Sequence, residues 1–292
     1  MGIFIDYSFY AECPEGELRE RLRRLRQRVS RLPLARVGRI KRLDPVYPGM
    51  QLHLLRKQGY RLPAAVRARL KGKSSRDYQT QCTLAAPPTS MLVPRKLERS
   101  FLEPAMEFIK ATDLWSEADL PEEVEYGSIT IFRLGFAFAL ADVMLRHGYL
   151  MILDPGEGSE TVHVGLTTLR RPGVPMWLGS GFTKTQYATD FVTAHENVCR
   201  VLDAAREVGL LYRARDTCGF YRHRSWKKAA PIVNAETTFA HVMGQVLSAG
   251  VAAARAAGMR IEDVSDPATR NYNLVRVDEP EPEGRPVAGG TS

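Results

Sequence analysis

Apolar positions along the chain follow two periods, and each change of period marks an element. Residues 3–12 are aromatic and β-branched with partial alternation, which predicts a strand. Pro14 then opens a helix, and Glu15 and Glu17 suit its first turn. Within it Leu18, Leu22, Leu25, Val29 and Leu32 recur every three or four residues and form one apolar stripe. Seven arginines from Arg19 to Arg31 occupy the remaining faces. Residues 37–43 predict a second strand, so residues 1–47 read as a β-α-β unit, half of a ferredoxin-like fold. Residues 51–70 are mixed and basic, with a short helix and a second helical piece opening at Pro63. Residues 71–76 read as a solvated turn.

Prolines and small residues over 82–94 mark an extended connection. Beyond it the pattern predicts a helix over 101–112, an acidic stretch over 113–125 turning at Pro121, and a strand over 128–132. A helix to about residue 146 follows, with His147-Gly148 as its terminator. Residues 149–153 and 161–168 form an antiparallel pair around Asp154-Pro155-Gly156. Residues 189–208 carry the clearest helical period. At about 100° per residue, Phe191, His195, Val198, Leu202 and Ala205 share an arc, with Glu196, Arg200, Asp203 and Glu207 opposite. His195 is therefore predicted to face the core. Residues 210–215 and 219–224 predict a further strand pair, Pro231 a helix running to residue 257, and residues 271–277 an edge strand. The tail, 278–292, lacks the apolar content to order itself. The fold class is α+β: a basic N-terminal β-α-β lobe (1–81), a connection (82–100), a larger mixed lobe (101–277) and the tail.

The candidate chemistry gathers in the second half. Lys184-Thr185-Gln186-Tyr187 follows Gly179-Ser180-Gly181 and precedes the 189–208 helix. Glycines before a helix N-terminus can turn backbone N–H groups toward an anion, with Lys184 adding charge. The P-loop pattern is absent, since Gly181 stands three residues before Lys184. His195, beside this segment, is the candidate acid or base. His195-Glu196-Asn197-Val198-Cys199 has cysteine where the His-Glu-x-x-His zinc motif requires histidine. Asp154, Glu157 and Glu160 surround a turn, which favours acidic residues for solubility. Tyr221 to Lys228 interleaves basic and aromatic residues. Arg222 and Arg224 are its candidate phosphate contacts, and a strand end with one apolar face has the same pattern.

Gly156-Glu157-Gly158-Ser159-Glu160, Gly165-Leu166, Trp177, Phe182-Thr183-Lys184-Thr185-Gln186-Tyr187-Ala188, His195 and Leu202-Asp203 occur in this order. The series resembles a family of uncharacterised bacterial proteins, over residues 150–244, about a third of the chain. The resemblance implies a grouping and no activity. The chain departs from that family at Cys218-Gly219-Phe220-Tyr221-Arg222, where a Gly-Tyr-Trp-like run is expected. It departs again at Thr183, where members often carry cysteine.

Composition narrows the classes. Apolar content of 44% and charged content of 25% over 292 residues describe an ordinary globular chain able to bury a core. Arg133 and Asp142 interrupt the longest apolar run, and no N-terminal segment reads as an export signal, so a cytoplasmic, non-membrane protein is expected. Four scattered cysteines then imply free buried thiols. Neither they nor the six histidines show metal-ligand spacing, and no cofactor motif occurs. Residues 1–100 hold 22 Lys and Arg against 8 Asp and Glu, a net of +14, while the remainder is net negative. That asymmetry points to an anionic small molecule or an acidic protein surface as partner, with nucleic acid as a further possibility, or to docking between the two halves. The leading expectation is a binding or interaction protein. The alternatives are an enzyme for a phosphorylated or nucleotide-like substrate, and non-specific nucleic-acid binding.

Overall fold

A computed structural model describes residues 3–72, 95–112, 120–126, 129–169 and 173–256 of the chain. The connection over 82–94, the edge strand over 271–277 and the tail lie outside the described residues. The first strand, β1 (Phe4–Glu12), leads into helix α1 (Glu15–Val29), followed by two short strands, β2 (Arg36–Val37) and β3 (Lys41–Leu43). Helices α2 (Gly49–Lys57), α3 (Ala64–Arg69) and α4 (Arg95–Ala111) come next, then strands β4 (Glu123–Tyr126) and β5 (Ile129–Phe132) and helix α5 (Arg133–Leu145). The order closes with β6 (Arg146–Asp154), β7 (Val162–Leu169), β8 (Met176–Lys184), α6 (Phe191–Glu207), β9 (Leu211–Asp216), α7 (Phe220–His223) and α8 (Trp226–Ala256). This is an α+β fold, as the pattern predicted.

Seven strands make one sheet in the order β2-β6-β7-β8-β1-β9, with β3 also on β6, and every neighbouring pair is antiparallel. β1 and β2 run parallel with β8, β7 and β6 between them. The first strand among the described residues thus lies between β8 and β9, which come from far along the sequence, and β1, β2 and β3 share one sheet with β6 to β9. Ile3, Ile5, Tyr7, Phe9 and Ala11 point to one face by the two-residue period of a strand. There they meet the stripe Leu18, Leu22, Leu25 and Val29 of α1, and Val198, Val201, Leu202 and Ala205 of α6. A second core forms where α2, α3, α4 and α5 pack around Leu52, Leu55, Ile109, Phe136 and Leu140.

Several elements differ from the sequence pattern, each for a local reason. β6 begins at Arg146 directly after α5, so His147-Gly148 belongs to the strand. A Cβ on Gly148 would stand 2.2 Å from Leu166 O, so glycine there serves strand approach and not a helix cap. Residues 123–126, read as part of an acidic turn, pair with β5. Residues 219–224 hold helix α7 rather than a strand: Gly219 takes φ +79°, and the Asp216 carboxylate accepts the N–H of Cys218 and of Tyr221. α8 starts at Trp226, with Pro231 inside it, and α4 starts at Arg95, with Pro104 inside it. Ile232, Phe239, Val242, Val246 and Leu247 remain exposed along α8. Among the described residues no helix is long and apolar enough to cross a membrane.

Candidate functional site

The Gly179-Ser180-Gly181 run is an interior part of β8, with its backbone paired to β1 through Phe9↔Gly179 and Tyr7↔Gly181. Its glycines answer to packing. A Cβ at Gly179 would fall 1.7 Å from Gly165 O, and one at Gly181 would fall 2.9 Å from the Tyr7 ring. Tyr7 is buried, its hydroxyl 3.1 Å from Thr183 Oγ1 while accepting the N–H of His163, and burial pushes its pKa up to about 12. The strand ends at Lys184, half-buried, whose N–H donates to Glu160 Oε2 and whose carbonyl accepts from Glu160 N. Asp154 Oδ1 likewise accepts Gly156 N–H at 3.2 Å, so two of the three carboxylates near this turn hold backbone.

The next residues turn inward. Gln186 is buried and its Oε1 accepts Ile3 N–H at 2.7 Å, pinning the start of β1. Tyr187 is half-buried. Thr185 is fully enclosed and its Oγ1 lies 2.8 Å from Nδ1 of His195. Helix α6 brings His195 there. Asp190 caps that helix by accepting Thr193 N–H, and the apolar arc of α6 turns onto the sheet with His195 on it, at 0% exposure. Glu196, on the opposite side as predicted, accepts from Trp226 Nε1 and pairs with Arg200.

Two residues that the sequence did not single out complete the cluster. β9 ends at Asp216, and the turn after it carries Cys218. His195 Nε2 stands 3.1 Å from Asp216 Oδ2 and 3.5 Å from Cys218 Sγ, and Cys218 Sγ is 3.2 Å from Asp216 Oδ1. Phe191, Phe220 and Trp226 ring the imidazole at centroid separations of 5.5, 5.9 and 5.6 Å. Burial opposes ionisation of Asp216, but its hydrogen bonds with His195, the Tyr221 N–H and Cys218 outweigh this and hold its carboxyl below the ordinary range. Burial, with Asp216 alongside, pushes the Cys218 thiol up, so it is a neutral S–H and no nucleophile as it stands. Cys199 is raised in the same way by burial. Cys13, Cys199 and Cys218 are all free and buried; Cys82 lies outside the described residues.

The geometry also differs from a nucleophile–histidine–acid triad. There one ring nitrogen faces the nucleophile and the other faces the acid. Here the same nitrogen, Nε2, faces both the thiol and the carboxylate, while Nδ1 faces the Thr185 hydroxyl. The structure thus brings Thr185 and His195 together. Gln186 instead holds the chain just before β1 through Ile3 N–H, and Lys184 stands at the end of β8. Arg222 is exposed on α7. Arg224 forms a two-oxygen ion pair with Asp203 at 2.6 Å and covers the Tyr221 ring at 4.6 Å. An open groove at the N-terminus of α6 is lined by Leu34, Gly156, Glu157, Asp190 and Thr193. Its two carboxylates, Glu157 and the capping Asp190, make it unsuited to an anion.

The Asp216-Thr217-Cys218 spacing was the available signal for the missed pair: a carboxylate and a thiol two residues apart at the end of a strand. It could not be paired with His195 before the fold placed β9 beside α6. No family model, curated protein or solved structure matches the chain.

Proposed function

We propose that the protein is a binding protein for a polyanionic partner, and that the recognition surface is the β2–β3 edge of the sheet with the adjoining end of α1. The observation that carries this reading is a basic run with no acidic residue inside it. Between Glu20 and Asp44 the chain contains ten Lys and Arg and no Asp or Glu. Arg31, Arg36, Arg39, Lys41 and Arg42 are exposed along this edge, and Arg26 Nε donates to Gly38 O at 3.1 Å, holding α1 against it. The first half of α1 behaves differently: Arg21 pairs with Glu17, and Arg23 and Arg24 with Glu20. Arg28 bridges to Glu207 on α6, so part of the basic charge docks one half of the chain on the other. Arg42 lies 3.6 Å from Asp44, and Arg31, Arg36, Arg39 and Lys41 stand at the sheet edge without an acidic partner among the described residues. Lysine and arginine also keep sheet edges from pairing with other chains; binding goes beyond that role because the basic run continues from the strands into α1.

Fluorescence anisotropy with a labelled poly-glutamate peptide and a labelled short RNA, each at low and physiological salt, tests this. At least one probe binds at low salt, and the affinity falls steeply with salt, since released counterions drive such contacts. The combined variant Arg36→Gln, Arg39→Gln, Lys41→Gln and Arg42→Gln, with its circular dichroism unchanged, loses at least tenfold in affinity. Absence of binding to both probes at low salt, or undiminished binding by the variant, overturns the proposal. The two arms separate an acidic protein surface from nucleic acid. Arg222 and Lys184 lie on other elements, so the same measurement on Arg222→Gln and Lys184→Gln checks whether either contributes.

A further inference from the structure

The buried cluster at the ends of β8 and β9 is not used by that reading, and its geometry is that of ligands around an ion. We propose that His195 Nε2, Asp216 Oδ2 and Cys218 Sγ form a binding site for a zinc-class divalent cation. These atoms are separated by 3.1 Å (Nε2 to Oδ2), 3.5 Å (Nε2 to Sγ) and 3.5 Å (Sγ to Oδ2). A tetrahedral zinc ion, with bonds of about 2.0–2.1 Å to nitrogen and oxygen and about 2.3 Å to sulfur, holds its ligand atoms about 3.3–3.6 Å apart. The triangle thus already has nearly the size of one face of that tetrahedron, and the three residues form a group whose ligand atoms all lie within 4.8 Å of one another.

Hydrogen bonding alone accounts for the triangle less completely. The ring N–H and the thiol S–H can each be directed to Asp216, which leaves the 3.5 Å contact between Nε2 and Sγ with no proton of its own. A cation fills all three edges at once. The ring is also supported as a metal-bound imidazole is supported. With the Nε2 lone pair on the ion, the ring proton sits on Nδ1 and donates to Thr185 Oγ1 at 2.8 Å, fixing tautomer and orientation. Asp216 is fixed in turn by the N–H groups of Cys218 and Tyr221 at 3.0 and 2.8 Å. The thiol gives up its proton to the buffer on coordination and binds as thiolate. Zinc takes four donors. The chain supplies three of these, and a water molecule takes the fourth position.

The nitrogen, oxygen and sulfur set favours zinc over magnesium or calcium, which take oxygen. The site ties three elements distant in sequence: the β8 end through Thr185, α6 through His195, and the β9–α7 turn through Asp216 and Cys218. Its role is therefore structural, closing the sheet on α6, and the ring of Phe191, Phe220 and Trp226 shields the ion.

The test uses the full, untagged chain after chelator treatment. Zinc is titrated calorimetrically, and cobalt serves as a spectroscopic substitute. The expected result is one ion per chain, a raised melting temperature, and a cobalt form with thiolate charge-transfer absorption and the intense visible bands of a tetrahedral ion. Cys218→Ser removes the charge-transfer band and weakens binding at least tenfold, whereas Cys13→Ser, elsewhere in the core, leaves both unchanged. Should Cys218→Ser fail to fold, Thr185→Val keeps every ligand and lowers affinity by about 10- to 100-fold through the loss of the Nδ1 partner. A folded wild-type chain that takes up neither ion overturns the proposal. So does cobalt binding without a thiolate band, or binding that survives Cys218→Ser or Thr185→Val undiminished.

Discussion

His195 and Lys184 stand eleven residues apart in opposite environments, and substitutions at the two should separate cleanly. His195 has no exposed surface and hydrogen-bond partners on both ring nitrogens. His195→Ala leaves Thr185 and Asp216 short of a partner and opens a void among three aromatic rings, a loss on the order of 2–4 kcal/mol. Lys184 is half-buried, and the contacts seen at its position are made by its backbone to Glu160, so Lys184→Ala shifts stability by about 0.5 kcal/mol or less. Denaturant unfolding of both variants decides this, and a larger loss for Lys184→Ala would make that side chain a structural ion-pair member. A third residue carries a pH signature. Burial raises the Asp142 carboxyl to about 7, against the pull of Arg146 at 3.0 Å. A carboxyl raised in the folded state stabilises it most below the unfolded value of about 3.9, and that contribution is lost as pH climbs to 7. The stability advantage of wild type over Asp142→Asn, followed by melting from pH 4 to 8, should therefore shrink as pH rises and level off above 7.

Strand β8 shows how an element can carry glycines for reasons that a local reading misassigns. Gly179 and Gly181 looked like a flexible approach to an anion site because they precede a lysine and a helix. In the sheet they are points of contact, one against the backbone of β7 and one against the Tyr7 ring. Gly179→Ala pushes a methyl group into Gly165 O, which is backbone and cannot move aside without shifting β7. We expect a loss above about 3 kcal/mol, at the far end of what single substitutions do. Gly16→Ala on α1, where nothing lies within 4 Å of the added Cβ, should instead stabilise the helix by about 0.5–1 kcal/mol. Thermal unfolding of the pair measures both signs. Equal behaviour of the two variants would mean that the strands separate to accept a side chain at Gly179.

At the scale of the whole molecule, the position of β1 determines how the chain can be divided. It pairs with β8 along its full length and with β9 on its other side. A fragment of residues 95–256 lacks that strand and also lacks α1, which covers the same face. We expect the fragment to melt without cooperativity, and to regain a sharp transition when a separately produced fragment of residues 1–94 is added. A cooperative transition for the fragment alone, followed by calorimetry, would make the basic N-terminal segment a separable lobe. The Arg28–Glu207 pair and the hydrogen bond from Arg21 to Gly209 O span the same two halves at the surface. They lie in solvent, so they should add little to the association and weaken with salt.

Local pattern determined whatever depends on a residue's near neighbours. The apolar stripe of α1, the core-facing arc of α6 with His195 on it, the pairing of β6 with β7 and the concentration of basic charge before residue 44 were all legible, because periodicity and composition are properties of short windows. Tertiary structure decided the rest. Nothing near Ile3 announces Gln186 as its hydrogen-bond partner, and nothing near His195 announces Asp216 and Cys218, since each of these contacts spans an arrangement of strands far apart in sequence. Residues 219–224 depart from their pattern for the same reason: their basic and aromatic residues suit a strand, but the Asp216 carboxylate accepts two N–H groups and bends the chain into α7. Glycine was the least legible residue. Its absent side chain records an approach by another segment, and at Gly148 and Gly179 that segment is strand β7.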